Sequence, residues 1–169
     1  MVAAWPEPVQ RVSSFLRDAA AEARIEEFSA GATAAEAATA VGCGLDQIVK
    51  SLVLLCDDGR PVVALVPGDR RGDPEKIARA AGAESARIAK ADEVERATGF
   101  APGAVAPFPL PAIETVLIER TLLRHPLVWA GAGSPNHLVG LAPVELGRLS
   151  RAQPTDVVTD YHSTNSKES

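Results

Sequence analysis

The stretch at residues 47–56 sets the tightest limit on what this chain can fold into. Within Ile48-Val49-Lys50-Ser51-Leu52-Val53-Leu54-Leu55, apolar residues fill both alternating sets of positions. Side chains alternate faces along a strand, so Ile48, Lys50, Leu52 and Leu54 share one face and Val49, Val53 and Leu55 the other. A strand of this kind is covered on both sides. Asp58-Gly59 is a hairpin signal, and residues 61–66 (Pro-Val-Val-Ala-Leu-Val) are the returning strand, ended by Pro67-Gly68. Two buried strands need apolar cover on each face. The chain has 169 residues, of which 46% are hydrophobic but only 4% aromatic. That suffices for one core built from Val, Leu, Ile and Ala.

The remaining pattern interleaves helices and strands. Val9, Val12, Phe15, Leu16, Ala19 and Ala23 recur at helical spacing and predict a first helix over residues 8–23. A short extended piece follows at 25–28. Thr33 and Glu36 form a capping box before an alanine-rich helix that Gly42 ends. Asp73-Pro74-Glu75 reads as a cap and an acidic first turn, with the helix stopping at Gly82. Residues 85–88 read as a strand. Asp92 as cap with Glu95 repeats the capping logic, and Gly99 stops that helix. Further strands are expected at 115–118, 127–130, 137–141 and 155–158, with a helix at 143–149. From Thr159 onward the chain is polar and is expected to be disordered. The hairpin requires antiparallel neighbours, which favours a mixed-sheet α+β domain over a doubly wound parallel sheet.

Charge and cysteine content exclude several classes. A formal net charge of −5 argues against a protein that grips long nucleic acid, though a short nucleic-acid end could still meet a local basic patch. Arg70, Arg71, Lys76, Arg79, Arg87 and Lys90 are candidates for such a patch; a solvated face is the plainer reading. Cys43 and Cys56 match no zinc, disulfide or redox spacing, and none of the histidines (His125, His137, His162) has metal-ligand spacing. The expectation is no metal and no cofactor. No apolar run reaches the ~18 residues that span a membrane, and the N-terminus lacks a signal-peptide pattern. A cytoplasmic protein with reduced thiols is expected.

Three places could carry chemistry. Lys50 lies in an apolar strand, where an unpaired ammonium is costly. On pattern alone it either snorkels to water from the strand start, the favoured reading, or lines a pocket for an anionic group. Residues 100–111 hold four prolines and one glycine without periodicity. Such a loop could present backbone N–H groups to a carbonyl, or could be a plain crossover. Gly131-Ala132-Gly133-Ser134 lacks the third glycine of a dinucleotide fingerprint and precedes a strand, so a dinucleotide site is rejected. It is either an ordinary turn or a pocket wall, with Ser134 or Asn136 offering hydrogen bonds. No Ser–His–Asp arrangement is legible, and Cys43, between two glycines, could be a reactive thiol, with a small turn residue the plainer reading.

In their order and spacing these segments resemble the YbaK/EbsC family, the prolyl-tRNA editing domain-like aminoacyl-tRNA deacylases, over residues 19–158. The carriers are the T-x-x-E-A-A helix ending at Gly42, Ile48-Val49-Lys50-Ser51-Leu52-Val53 with the Pro61 to Asp69 strand, Thr98-Gly99-Phe100 with Gly103-x-x-x-Pro107-Phe108, and Gly131-Ala132-Gly133-Ser134. The resemblance implies a mixed, largely antiparallel sheet curled toward a barrel with surrounding helices, in a single domain at 1–158 followed by a tail at 159–169. It implies a trans-editing enzyme that hydrolyses the ester of a mischarged tRNA, of Cys-tRNA(Pro) or Ala-tRNA(Pro) type. Lys50 falls on the family's essential lysine. Gly103, Ala104, Val105, Ala106 and Pro107 fall on the loop that holds the ester. Gly131, Ala132, Gly133 and Ser134, with Asn136, form the wall beside the aminoacyl-adenosine, and Phe28 and Ser51 border the pocket. Water or the substrate's own 2′-OH would be the nucleophile. Many relatives carry Asp where this chain has Glu119, so no direct role is expected there. The partners implied are the aminoacylated tRNA 3′ end and a synthetase or elongation factor, with no DNA or membrane, for a monomer or homodimer. The alternative is a non-catalytic module that binds a tRNA end or a synthetase.

Overall fold

The computed structural model describes residues 5–160. In chain order it runs α1 (Glu7–Asp18), β1 (Ala23–Glu27), α2 (Ala34–Val41), β2 (Ile48–Cys56), β3 (Pro61–Pro67), α3 (Pro74–Ala80), β4 (Ala86–Ile88), α4 (Ala91–Thr98), β5 (Thr115–Glu119), β6 (Val128–Gly131), β7 (His137–Leu141), α5 (Pro143–Ser150) and β8 (Gln153–Thr155). Short 3₁₀ turns at Leu45–Gln47 and Arg120–Arg124 precede β2 and follow β5.

All eight strands join one sheet in the order β1-β7-β6-β2-β3-β5-β8, with β4 also on β2. The pairs β1–β7, β7–β6, β2–β3 and β2–β4 are antiparallel, whereas β6–β2, β3–β5 and β5–β8 are parallel. The expected mixed sheet with helices around it is what the chain forms. The sheet does not close into a barrel, because β1 and β8 stand at its two ends.

Both faces of β2 and β3 are covered, as the apolar pattern requires. On one face Val49, Val53, Val63 and Leu65 pack with Phe100, Val105, Ala106 and Ile118 in the main core. On the other, Leu54, Val62, Ala64 and Val66 pack with Ile77 of α3, Leu117 and Val157. Ile48 joins a small third cluster with Ala38 and Trp129.

Local chemistry sets most boundaries. Thr33 and Glu36 exchange the two capping-box bonds at the start of α2, and Gly42 ends it in the left-handed conformation at φ 74°. Asp73 accepts the N–H groups of Glu75 and Lys76 and caps α3.

Four expectations are corrected. The first helix ends at Asp18, because the chain turns at Ala20 (φ 51°) so that Ala23 can pair with Leu141. Lys90, not Asp92, caps α4: its N–H donates to Glu93 Oε1 at 2.8 Å, and Arg87 grips the same carboxylate. Those bonds hold the Glu93 carboxyl down at about 2. The last strand is Gln153–Thr155 beside β5, while Val158 bridges Gly72. Thr159 and Asp160, assigned by sequence to the tail, are hydrogen-bonded to the body, Thr159 N–H to Arg71 O and Asp160 to Lys76. Residues 161–169 lie outside the described residues.

Close packing across β6 and β7 generates a stability prediction. A Cβ on Gly140 would sit 2.7 Å from the Trp129 ring. Gly140→Ala is expected to lower unfolding free energy by about 1–3 kcal/mol through overpacking, read as a shift of the urea midpoint. An unchanged midpoint would contradict this packing.

Candidate functional site

The site begins with an interruption in the sheet. On one edge β2 pairs with β3 from Val49 to Leu55. On its other edge the register with β6 covers Ile48 and Val49, and the register with β4 covers Leu54 to Cys56. Residues 50–52 have no registered partner there, and at Val53 the edge is taken up again by Ala89 N–H, which donates to Val53 O at 2.9 Å. Lys50, Ser51 and Leu52 are accordingly only partly buried, although the strand is apolar. The gap opens where β6 ends at Gly131, the position next in register to Lys50.

Lys50 is held rather than loose. Its Nζ donates to Arg70 O at 2.8 Å, in the turn after β3. Burial pushes its ammonium below the usual lysine value; Asp69 opposes this and Arg71 adds to it. The result is a half-buried cation beside a break in the sheet. It does not snorkel into open water.

The 103–107 loop lies against this gap. A Cβ on Gly131 would stand 3.0 Å from Val105 O, so any larger residue would press the loop back by a few tenths of an ångström. Ala104, Val105 and Ala106 are buried. Among the described residues the N–H groups of Val105 and Ala106 reach no acceptor. Buried N–H groups are rarely left unpaired. Ser51 Oγ is also buried without a partner, on the β2 face that packs with Val105 and Ala106 in the main core. Strand alternation points Lys50 away from that face, so Lys50 and Ser51 meet only at the open edge.

The other expected residues form a second group. Phe28 N–H donates to Asn136 O at 2.8 Å and Asn136 Nδ2 to Phe28 O at 3.2 Å. Ser134 Oγ donates to Asn136 Oδ1 at 3.1 Å. His137 was not singled out by sequence, yet it is 1% exposed and its Nδ1 lies 2.5 Å from Ser134 Oγ. Its Nε2 faces Glu27 at 3.4 Å without a formed hydrogen bond. The Gly131 to Ser134 stretch is a β6–β7 turn that opens no helix, consistent with rejecting a dinucleotide site.

Glu119 is the other residue whose role sequence did not reach. It is 2% exposed, and its carboxylate accepts Thr121 N–H and Val157 N–H, both at 3.0 Å. It ties β5 to the segment after β8. No local pattern reveals such a contact, because Glu119 and Val157 are far apart in sequence.

Other candidates fall away. Lys76 is engaged by Asp156 and Asp160, and Arg87 by Glu93, which leaves the basic patch thinner than its sequence suggests. Burial and Asp46 push the Cys43 thiol up, away from a reactive thiolate. Among the described residues no group of three or more His, Cys, Asp or Glu converges as a metal site, and no helix is long and apolar enough to cross a membrane.

The chain is similar to several known proteins. The profile of the aminoacyl-tRNA editing domain matches residues 29–149. YwhH of Bacillus subtilis is 32% identical over 139 residues, spanning 81% of this chain and 88% of that protein. EbsC of Enterococcus faecalis, provisionally named a Cys-tRNA(Pro)/Cys-tRNA(Cys) deacylase, is 24% identical over 127 residues, 75% of this chain and 77% of its own. A crystal structure provisionally described as a trans-editing enzyme for prolyl tRNA synthetase superposes with a TM-score of 0.86 at 35% identity, covering 93% of this chain and 100% of that one. The family resemblance read from sequence is borne out.

The Glu119 contacts predict a measurable cost. Glu119→Ala leaves two backbone donors unpaired and is expected to destabilise the fold by about 2–6 kcal/mol, at ~1–3 kcal/mol for each donor. Hydrogen exchange at the Val157 amide should accelerate more than in β3. Equal protection in variant and wild type would refute the tie.

Proposed function

The chain belongs to the aminoacyl-tRNA editing domain family, and from that premise we propose that it is a trans-editing deacylase that hydrolyses the ester of a mischarged tRNA. The observation that carries this reading is the unpaired N–H of Val105, in the loop whose carbonyl abuts Gly131 beside the sheet gap that Lys50 borders. In an aminoacyl ester the carbonyl oxygen gains negative charge as the nucleophile adds. A fixed donor in a buried loop stabilises that charge without reorganising. The ester is already activated, so positioning and polarisation supply most of the catalysis. The attacking group is water or the terminal ribose 2′-OH.

Lys50 acts as a compact cation for the phosphate or the developing charge of the tRNA end. Its tie to Arg70 O leaves further N–H bonds of the ammonium for substrate. Gly131, Ala132, Gly133 and Ser134, with Asn136, provide the wall against the terminal adenosine, and Phe28 and Ser51 border the amino-acid side chain. A small residue is removed, as in Cys-tRNA(Pro) or Ala-tRNA(Pro). The net charge of −5 suits an enzyme that handles only the 3′ end and meets its tRNA near a synthetase in the cytoplasm.

The purified protein should release amino acid from Ala-tRNA(Pro) or Cys-tRNA(Pro) and spare Pro-tRNA(Pro). Lys50→Ala should cut kcat/KM about 100-fold or more. Folded wild-type protein that releases nothing from a full mischarged panel would overturn the proposal, and tRNA binding that survives Lys50→Ala without turnover would favour a binding module. Gly131→Ala, which presses on Val105 O, should lower kcat roughly tenfold with little change in melting temperature. Full activity in that variant would separate the loop from the chemistry.

A further inference from the structure

We propose that residues 156–160, which lie beyond the 29–149 span matched by the family profile, form a strap that positions Lys50. The inference rests on Lys50 being the cation that faces substrate. A lysine side chain has four rotatable bonds, and its ammonium is placed only as well as its acceptor is placed. That acceptor is Arg70 O, in the turn that leaves β3. The strap holds this turn rung by rung. Thr159 N–H donates to Arg71 O at 2.9 Å, and Arg70 Nη2 donates back to Thr159 O at 2.7 Å. Val158 bridges Gly72, and Asp73 N–H donates to Val157 O at 2.8 Å.

The strap is itself fastened at both ends. Val157 N–H is bound by Glu119, and the side chains of Val157 and Val158 are buried. Lys76 Nζ gathers the Asp156 carboxylate at 3.0 Å, Val158 O at 2.8 Å and Asp160 at 2.6 Å. Beyond the burial of the two valines, the polar contacts hold the whole turn from Arg70 to Asp73, which includes Lys50's acceptor.

The test uses the full chain with Thr159→Pro, Lys76→Met and the conservative Lys76→Arg, each checked for folding and assayed below its melting transition. Lys50 is labelled by reductive methylation with formaldehyde and cyanoborohydride and mapped by mass spectrometry, with exposed Lys90 as internal reference. Thr159→Pro removes the N–H that Arg71 O receives, and Lys76→Met releases the three acceptors. Both should raise the Lys50 labelling rate about threefold or more, as a locally opened segment does, while Lys76→Arg stays near wild type. On a mischarged tRNA the first two should lose about 10- to 100-fold in kcat with KM within about threefold. Unchanged Lys50 labelling in the folded variants overturns the proposal. If Lys76→Met does not fold, Thr159→Pro decides alone. If wild-type protein releases no amino acid, the deacylase reading fails, and labelling still decides whether the strap positions Lys50.

Discussion

Strand β2 is paired with β3 along one edge, while its other edge is divided between β6 and β4 with a gap between them. The rest of the molecule follows from that division. Continuous pairing with β3, and apolar clusters on both faces, fix the strand firmly. The gap then exposes a few residues of a core strand without loosening it. A polar group placed there is rigid, partly desolvated and still reachable, which is what a binding or catalytic group requires. Gly131 ends β6 at the gap, and its missing side chain admits the Val105 carbonyl, so a proline-stiffened loop reaches the same place.

The electrostatics follow the same geometry. Burial disfavours the Lys50 ammonium, and the Asp69 carboxylate offsets only part of that effect. An anionic partner would offset more of it. Unpaired donors at Val105 and Ala106 and the orphaned Ser51 hydroxyl are costs of the same kind. Uncompensated polar groups at a break in a sheet are local costs of the kind that proteins accept at functional sites.

Much of this was legible in the sequence, and the parts that were not share a cause. The β2–β3 hairpin, the caps of α2 and α3 and the loop at 100–111 are local patterns, readable from neighbouring residues. The end of α1 was missed because Ala19, Ala20 and Ala21 extend the helical pattern, while the pairing of Ala23 with Leu141 is decided at long range. The cap of α4 was misread because Lys90 is a poor cap by type, and Glu93 supplies the acceptor instead. At the site, Lys50 was found, but pattern alone favoured a snorkelling side chain; its anchor is Arg70 O, which no spacing rule names. Glu119, His137 and the segment at Thr159 act through contacts across the fold, and such contacts leave no periodic signature.

The central claim is that Lys50, the 103–107 loop and the Gly131 to Ser134 turn bind one ligand together. A backbone and lysine side-chain NMR titration with a non-hydrolysable amide analogue of alanyl-adenosine tests this most directly. The account predicts that the amides of Val105, Ala106 and Gly131 and the Lys50 side-chain signals shift together along one saturable curve. Shifts confined to residues away from the β2 gap, or none at all up to millimolar analogue, would contradict it.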